Sequence, residues 1–118
     1  MKIYELEFRD GLYYKKSSEK PFTGKVSGKQ NGEIIKGQKE GIWGEHLRNG
    51  ELYYKGNYKD GKEEGLWEYY HLNGQLYSKG NYKDGKKKDK KKDGLWEYFN
   101  NDGSLNRTET WKDGVKID

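Results

Sequence analysis

A passage that returns constrains this chain more than any other feature, because a fixed-period repeat commits a sequence to stacking like units on one another. Lys79-Gly80-Asn81-Tyr82-Lys83-Asp84-Gly85-Lys86 matches Lys55-Gly56-Asn57-Tyr58-Lys59-Asp60-Gly61-Lys62 residue for residue. Gly94-Leu95-Trp96-Glu97-Tyr98 then repeats Gly65-Leu66-Trp67-Glu68-Tyr69. Trp43, Trp67 and Trp96 set the phase, each standing six residues before Asn49, Asn73 or Asp102, where an Asn-Gly or Asp-Gly pair begins. With Asn31-Gly32 these make four turn marks, since such a pair between alternating segments suits a type I′ turn with positive φ at both central residues. The marks are spaced 18, 24 and 29 residues apart, so the first unit reads as six short and the third as five long, its excess being a lysine run.

The units read as hairpins. Asn73-Gly74 as a two-residue turn sets Glu68 opposite Lys79 and Trp67 over Gly80. One face then carries Trp67, Tyr69, Leu76 and Tyr82, and the other Glu68, Tyr70, Tyr77 and Lys79. At the far end, Tyr58-Lys59-Asp60-Gly61-Lys62 suits a three-residue turn with a bulge at Gly61. Before the repeats, Met1 to Arg9 reads as a strand with Tyr4, Leu6 and Phe8 on its apolar face rather than as a signal peptide. Asp10-Gly11 is a turn, Leu12–Lys16 a second strand, and Phe22–Val26 resumes the pattern after the break at Ser17–Pro21. The chain divides into an N-terminal hairpin block at 1–30, repeats at 31–101 with a Lys-rich loop at 86–93, and a C-terminal half repeat and cap at 102–118. In that half repeat Trp111 takes the place of Tyr58 and Tyr82. The fold class is all-β, an elongated antiparallel meander of stacked β-hairpins forming an essentially single-layer twisted sheet.

Composition agrees. Of 118 residues 37% are charged and only 30% hydrophobic, half of these aromatic, with 17 Gly and no Ala. So little aliphatic surface cannot build a thick core, but large rings with polar edges can hold a thin sheet together. No apolar run approaches the ~20 residues of a membrane-spanning helix. Without cysteine the chain offers neither a disulfide framework nor thiolate metal ligands, and the compartment stays open. The net charge of +4 resides entirely in Lys86–Asp93, with six Lys and two Asp, so the rest of the chain is neutral overall.

The unit Asn-Gly-x-Leu-x-x-x-Gly-x-Tyr-x-x-Gly-Lys-x-x-Gly-x-Trp-x-x-Tyr, at Asn49–Tyr70 and Asn73–Phe99, resembles the MORN-variant repeat of bacteria. The opening block Gly11–Val26 is similar to the first block of proteins often described as the antitoxin component of a toxin–antitoxin pair. The resemblance implies stacked hairpins, a non-catalytic binding role, a toxin protein as partner, and in many members an exported location. A phosphoinositide-kinase role does not transfer, because no phosphate-cradling Gly-rich loop or kinase-sized domain is present.

His46 and His71 occupy different repeat positions and have no convergent partners in the sequence, so they read as structural or surface residues. No catalytic residue, cofactor site or metal site is expected. The candidate contacts for a protein partner are the aromatics Tyr53, Tyr70 and Tyr77, with Trp43, Trp67 and Trp96 structural. The alternative is an anionic surface, phospholipid or nucleic acid, bound by Lys86, Lys87, Lys88, Lys90, Lys91 and Lys92. A homodimer through sheet edges or aromatic faces is a third possibility.

Overall fold

Each indole of the repeat settles on the glycine of the preceding strand, and that contact sets the register. The computed structural model describes residues 1–83 and 91–117. In it the strands are β1 (Leu6–Arg9), β2 (Leu12–Lys15), β3 (Gly24–Val26), β4 (Gln30–Ile35), β5 (Gln38–His46), β6 (Leu52–Lys59), β7 (Lys62–Tyr70), β8 (Leu76–Lys83), β9 (Lys91–Phe99), β10 (Leu105–Lys112) and β11 (Val115–Lys116). Among the described residues β3 to β11 form one antiparallel sheet in sequence order, and β1 pairs with β2 apart from it. The molecule measures 47 × 36 × 16 Å, the thickness of little more than one layer of strands with their side chains. The elongated hairpin meander is therefore the fold. The third strand of the N-terminal block belongs to the large sheet, and its first five residues begin with a 3-10 turn at Ile3–Glu5 rather than a strand. Glu5 caps that turn by accepting the Lys2 backbone N–H at 2.8 Å.

The expected pairs Glu68 with Lys79 and Trp67 with Gly80 are both present. The turns that produce them are exchanged. Lys59 pairs with Lys62 around Asp60-Gly61, where both φ values are positive, so this is the two-residue type I′ turn. Around Asn73-Gly74 the Gly74 N–H reaches the His71 carbonyl, and only Gly74 has positive φ. The Asn73 side chain instead accepts the Gln75 N–H at 2.9 Å, a local bond that holds asparagine at negative φ. This turn is one residue longer than expected, and a bulge that leaves Tyr77 unpaired restores the register.

Asn31-Gly32 is not a turn but lies inside β4. A Cβ on Gly32 would penetrate the Trp43 ring, as one on Gly56 would penetrate Trp67 and one on Gly80 would penetrate Trp96. Gly32, Gly56 and Gly80 stand 24 residues apart, so the first unit is complete and only its turn dipeptide misled the phase. The Trp67 backbone pairs with both Gly56 and Gly80, and its ring lies on Gly56. Each indole N–H donates to the carbonyl just past its glycine: Trp43 to Glu33 at 3.1 Å, Trp67 to Asn57 and Trp96 to Asn81 at 3.0 Å. Burying a Trp requires a partner for this donor, and the sheet supplies it three times.

Two clusters cover the Trp face. The first joins Leu6, Phe22 and Val26 to Ile34 and Trp43, with Ile3, Tyr13 and Tyr58 packed against them. Here β1 and β2 fold over the sheet, tied down by Tyr13 N–H to the Gly37 carbonyl and Gly37 N–H to the Phe22 carbonyl. The second cluster, Trp67, Tyr82, Trp96 and Tyr98 with Tyr54, Tyr58, Tyr69 and Trp111, comes entirely from the sheet. On the opposite face Lys55 meets Glu68 at 3.6 Å and Lys79 meets Glu97 at 3.8 Å. Such exposed pairs add little stability.

Candidate functional site

The uncovered part of the Trp face holds a hollow of about 370 Å³, lined by Tyr53, Tyr69, Tyr70, Tyr77, Ser78, Tyr82, Lys92, Trp96 and Tyr98. All three aromatic residues singled out in the sequence border it. Tyr53 and Tyr77 are 44% and 47% exposed and form its rim, whereas Tyr70 is half-buried. The Tyr70 hydroxyl donates to the Glu68 carboxylate at 3.4 Å, so Tyr70 borders the hollow from the end of β7 with its hydroxyl turned to the Glu68 side of the sheet.

Tyr77 was expected opposite Trp67, but the bulge turns it onto the Trp face, where its ring lies 6.4 Å from Tyr98 and 4.9 Å from His71. Leu76, expected beside Trp67, pairs instead with Tyr70. Tyr53 is the corresponding unpaired residue of β6, between the Glu45–Tyr54 and His46–Leu52 pairs. An extra residue in one strand breaks strict alternation, so both tyrosines share a face with the residue that follows them. His71 supports this arrangement through Nε2–H to the Phe99 carbonyl at 2.9 Å. His46 ends β5 opposite Leu52, and its Nδ1 accepts from the Asn31 amide at 3.2 Å.

The floor is a continuous array of rings. Tyr69 and Tyr82 join hydroxyl to hydroxyl at 3.0 Å, and Tyr82 meets Trp96 edge-on with centroids 5.0 Å apart. Burial pushes the Tyr69 phenol well above its usual range, assisted by the bond to Tyr82. Burial, with the Glu109 carboxylate beside it, pushes Tyr98 up to about 12. The Tyr69 and Tyr98 hydroxyls are therefore neutral at physiological pH.

Lys92, grouped in the sequence with the lysine loop, stands on the groove instead. Its Nζ donates to the Tyr98 hydroxyl at 2.9 Å and lies 4.7 Å from the Trp96 ring and 4.9 Å from Trp111. The Arg107 guanidinium lies 4.1 Å from the Tyr98 ring centre and pairs with Glu109 at 3.6 Å. Lys91 is exposed at the start of β9, and Lys86, Lys87, Lys88 and Lys90 fall outside the described residues. Lys39 repeats the Lys92 arrangement over Trp43 and Tyr58, at 4.7 and 5.0 Å, beneath the covering hairpin. Burial lowers the Lys39 pKa, partly opposed by Glu63 and Glu45.

Sequence reasoning missed Ser78, the buried floor of the hollow, and Lys92 as a ring contact. Both were legible by aligning the glycines, which puts Ser78 where Tyr54 stands and Lys92 where Lys39 stands. Among the described residues no group of three or more His, Asp or Glu is arranged to hold a metal ion.

Stacked β-hairpins that interlock by an indole on each preceding glycine define a repeat protein. Residues 63–84 and 92–113 each match the family described as MORN repeat variant. The matched spans are β7 with β8 and β9 with β10, so the hollow lies across the junction of two copies. No curated protein and no solved structure matches the chain.

Proposed function

We propose that this chain is a non-catalytic repeat protein that binds another protein through the uncovered part of its Trp face. One observation carries this reading: the sheet surrounds an open hollow with tyrosine rings, two of them nearly half exposed at its rim. Tyr offers large contact area, a hydroxyl donor and little side-chain entropy to lose, which is why such residues anchor interfaces. A toxin protein is the partner class that the MORN-variant resemblance implies. The rival reading is an anionic phospholipid or nucleic acid held by the Lys-rich segment, and self-association is a third.

Affinity capture from lysate of the source cells separates these readings. The baits are the unaltered chain, a Tyr53→Ala/Tyr77→Ala variant and a deletion of Lys87–Lys91. The groove predicts one protein retained by the unaltered bait and by the deletion, and reduced about tenfold or more by the double variant. Tyr70→Ala weakens the same capture and stays folded. Retention of that protein undiminished by the double variant overturns the reading, as does capture of lipid or nucleic acid alone that disappears with the lysines.

A further inference from the structure

The hollow has the position of a missing ring. Two residues before the glycine of each unit the sequence has Gln30, Tyr54 and Ser78, and Arg107 stands two before Glu109, which takes the glycine's place in β10. Tyr54 fills its place, its ring 5.8 Å from Trp67 and 6.2 Å from Tyr69. In the next unit Ser78, buried beside Trp96 and Tyr98, has no ring to set there, and the hollow opens above it. One side of the opening carries Lys92, with the Arg107–Glu109 pair beyond Tyr98. Lys92 Nζ lies 5.6 Å from the Tyr98 ring centre and the Arg107 guanidinium 4.1 Å from it. Where the same face is covered, over Trp43, the cover consists of Leu6, Phe22, Ile3 and Tyr13, so this surface accepts apolar and aromatic side chains of a folded-over segment.

We propose that the hollow over Ser78 is a socket for one aromatic side chain of the partner protein, carried on an extended segment with an acidic residue beside it. The ring stands where Tyr54 stands in the preceding unit, between Tyr69, Tyr77 and Tyr98, and the carboxylate meets Lys92. This inference rests on the protein-binding reading of the groove and names the chemistry of the partner. The chain itself displays a ring beside an acid on an extended strand, Glu7-Phe8 of β1, with Phe8 exposed. A second copy is therefore the competitor to be separated.

The test titrates a blocked peptide, with one phenylalanine between two glutamates, into the isotopically labelled full chain and follows the indole N–H signals. The socket predicts saturable shifts centred on Trp96, with Trp43 unmoved. Replacing the peptide's phenylalanine by leucine, or its glutamates by lysines, weakens binding about tenfold or more, and the glutamate peptide weakens as salt is raised. Ser78→Tyr, a ring the repeat already accommodates at Tyr54, abolishes the shifts. Should that variant lose its native spectrum, the three peptides on the unaltered chain decide alone. Equal binding of all three, no binding, or shifts centred on Trp43 overturns the socket. So does self-association of the chain that occupies the hollow and is lost in Phe8→Ala. A partner captured through Tyr53 and Tyr77 while the glutamate peptide fails overturns the socket and leaves the groove standing.

Discussion

Gly56→Ala destabilises the sheet by about 3 kcal/mol, because the added methyl occupies space that the Trp67 ring already fills. Gly56 is buried and in ordinary extended conformation, so the cost is overlap and not backbone strain. Relief requires lifting the indole, which exposes part of a ring that is 2% accessible and breaks its 3.0 Å bond to the Asn57 carbonyl. Lifting it also disturbs Tyr54, Tyr58 and Tyr82, whose rings lie within 6.1 Å of Trp67. Gly65→Ala is the comparison. Gly65 has φ +71 with open space around its missing Cβ, so alanine there costs only the left-handed backbone penalty of about 1–2 kcal/mol. Urea unfolding followed by Trp fluorescence gives both values. A Gly56→Ala midpoint at or above that of Gly65→Ala contradicts the indole-on-glycine account.

Raising the pH past 10 unfolds the protein steeply. Burial raises the phenols of Tyr54 and Tyr98 to about 12, and those of Tyr58 and Tyr69 further, from an ordinary value of 10.0. Below pH 10 folded and unfolded chains both hold these protons, and stability is complete. Above it the unfolded chain releases protons that the fold retains, so stability falls as pH rises through the folded values. Each retained proton is worth about 1.4 kcal/mol per pH unit at most, and less for a ring edge open to water. At half that value four tyrosines remove about 3 kcal/mol per unit, a large share of the ~5–15 kcal/mol that a domain commands. Phenolate absorbance and thermal midpoint recorded together test this. The expected result is a late group of tyrosines that ionises with unfolding, and a midpoint dropping between pH 10 and 12. Early, uniform titration of all 11 tyrosines with an unmoved midpoint contradicts it.

The repeat was legible because identical octapeptides, and tryptophans each six residues before an Asn-Gly or Asp-Gly pair, have one economical explanation, a stack of like hairpins. What the sequence concealed lies in the turns and bulges. Asn-Gly serves either as a type I′ turn or, with asparagine capping the N–H two residues on, as the end of a longer loop. Only the paired strands distinguish the two at Asn73-Gly74. At Asn31-Gly32 the same dipeptide is neither, since Gly32 makes room for Trp43 and Asn31 bonds to the Gly28 carbonyl. Strict alternation correctly placed Tyr69 and Tyr82 with Trp67 but failed at Tyr77, because one unpaired residue exchanges the faces beyond it. Ser78 carried a weaker signal, a small side chain in a column where the neighbouring unit has a ring. The lysine run drew attention by its charge, yet Lys92 takes its place from the aromatic rings beneath it.

The claim that the uncovered Trp face is the binding surface is tested most directly by hydroxyl-radical footprinting of the full chain with and without its captured partner. The two faces carry distinct reporters: Tyr53 and Tyr77 at the hollow, and the exposed Ile42, Leu66 and Leu95 next to the buried tryptophans in sequence. Those three alternate with Trp43, Trp67 and Trp96 and so point to the opposite side of the sheet. The account predicts that partner binding suppresses oxidation of Tyr53 and Tyr77 and leaves the three aliphatic residues unchanged. Protection of Ile42, Leu66 and Leu95 with Tyr53 and Tyr77 still reactive would place the partner on the other face and contradict it.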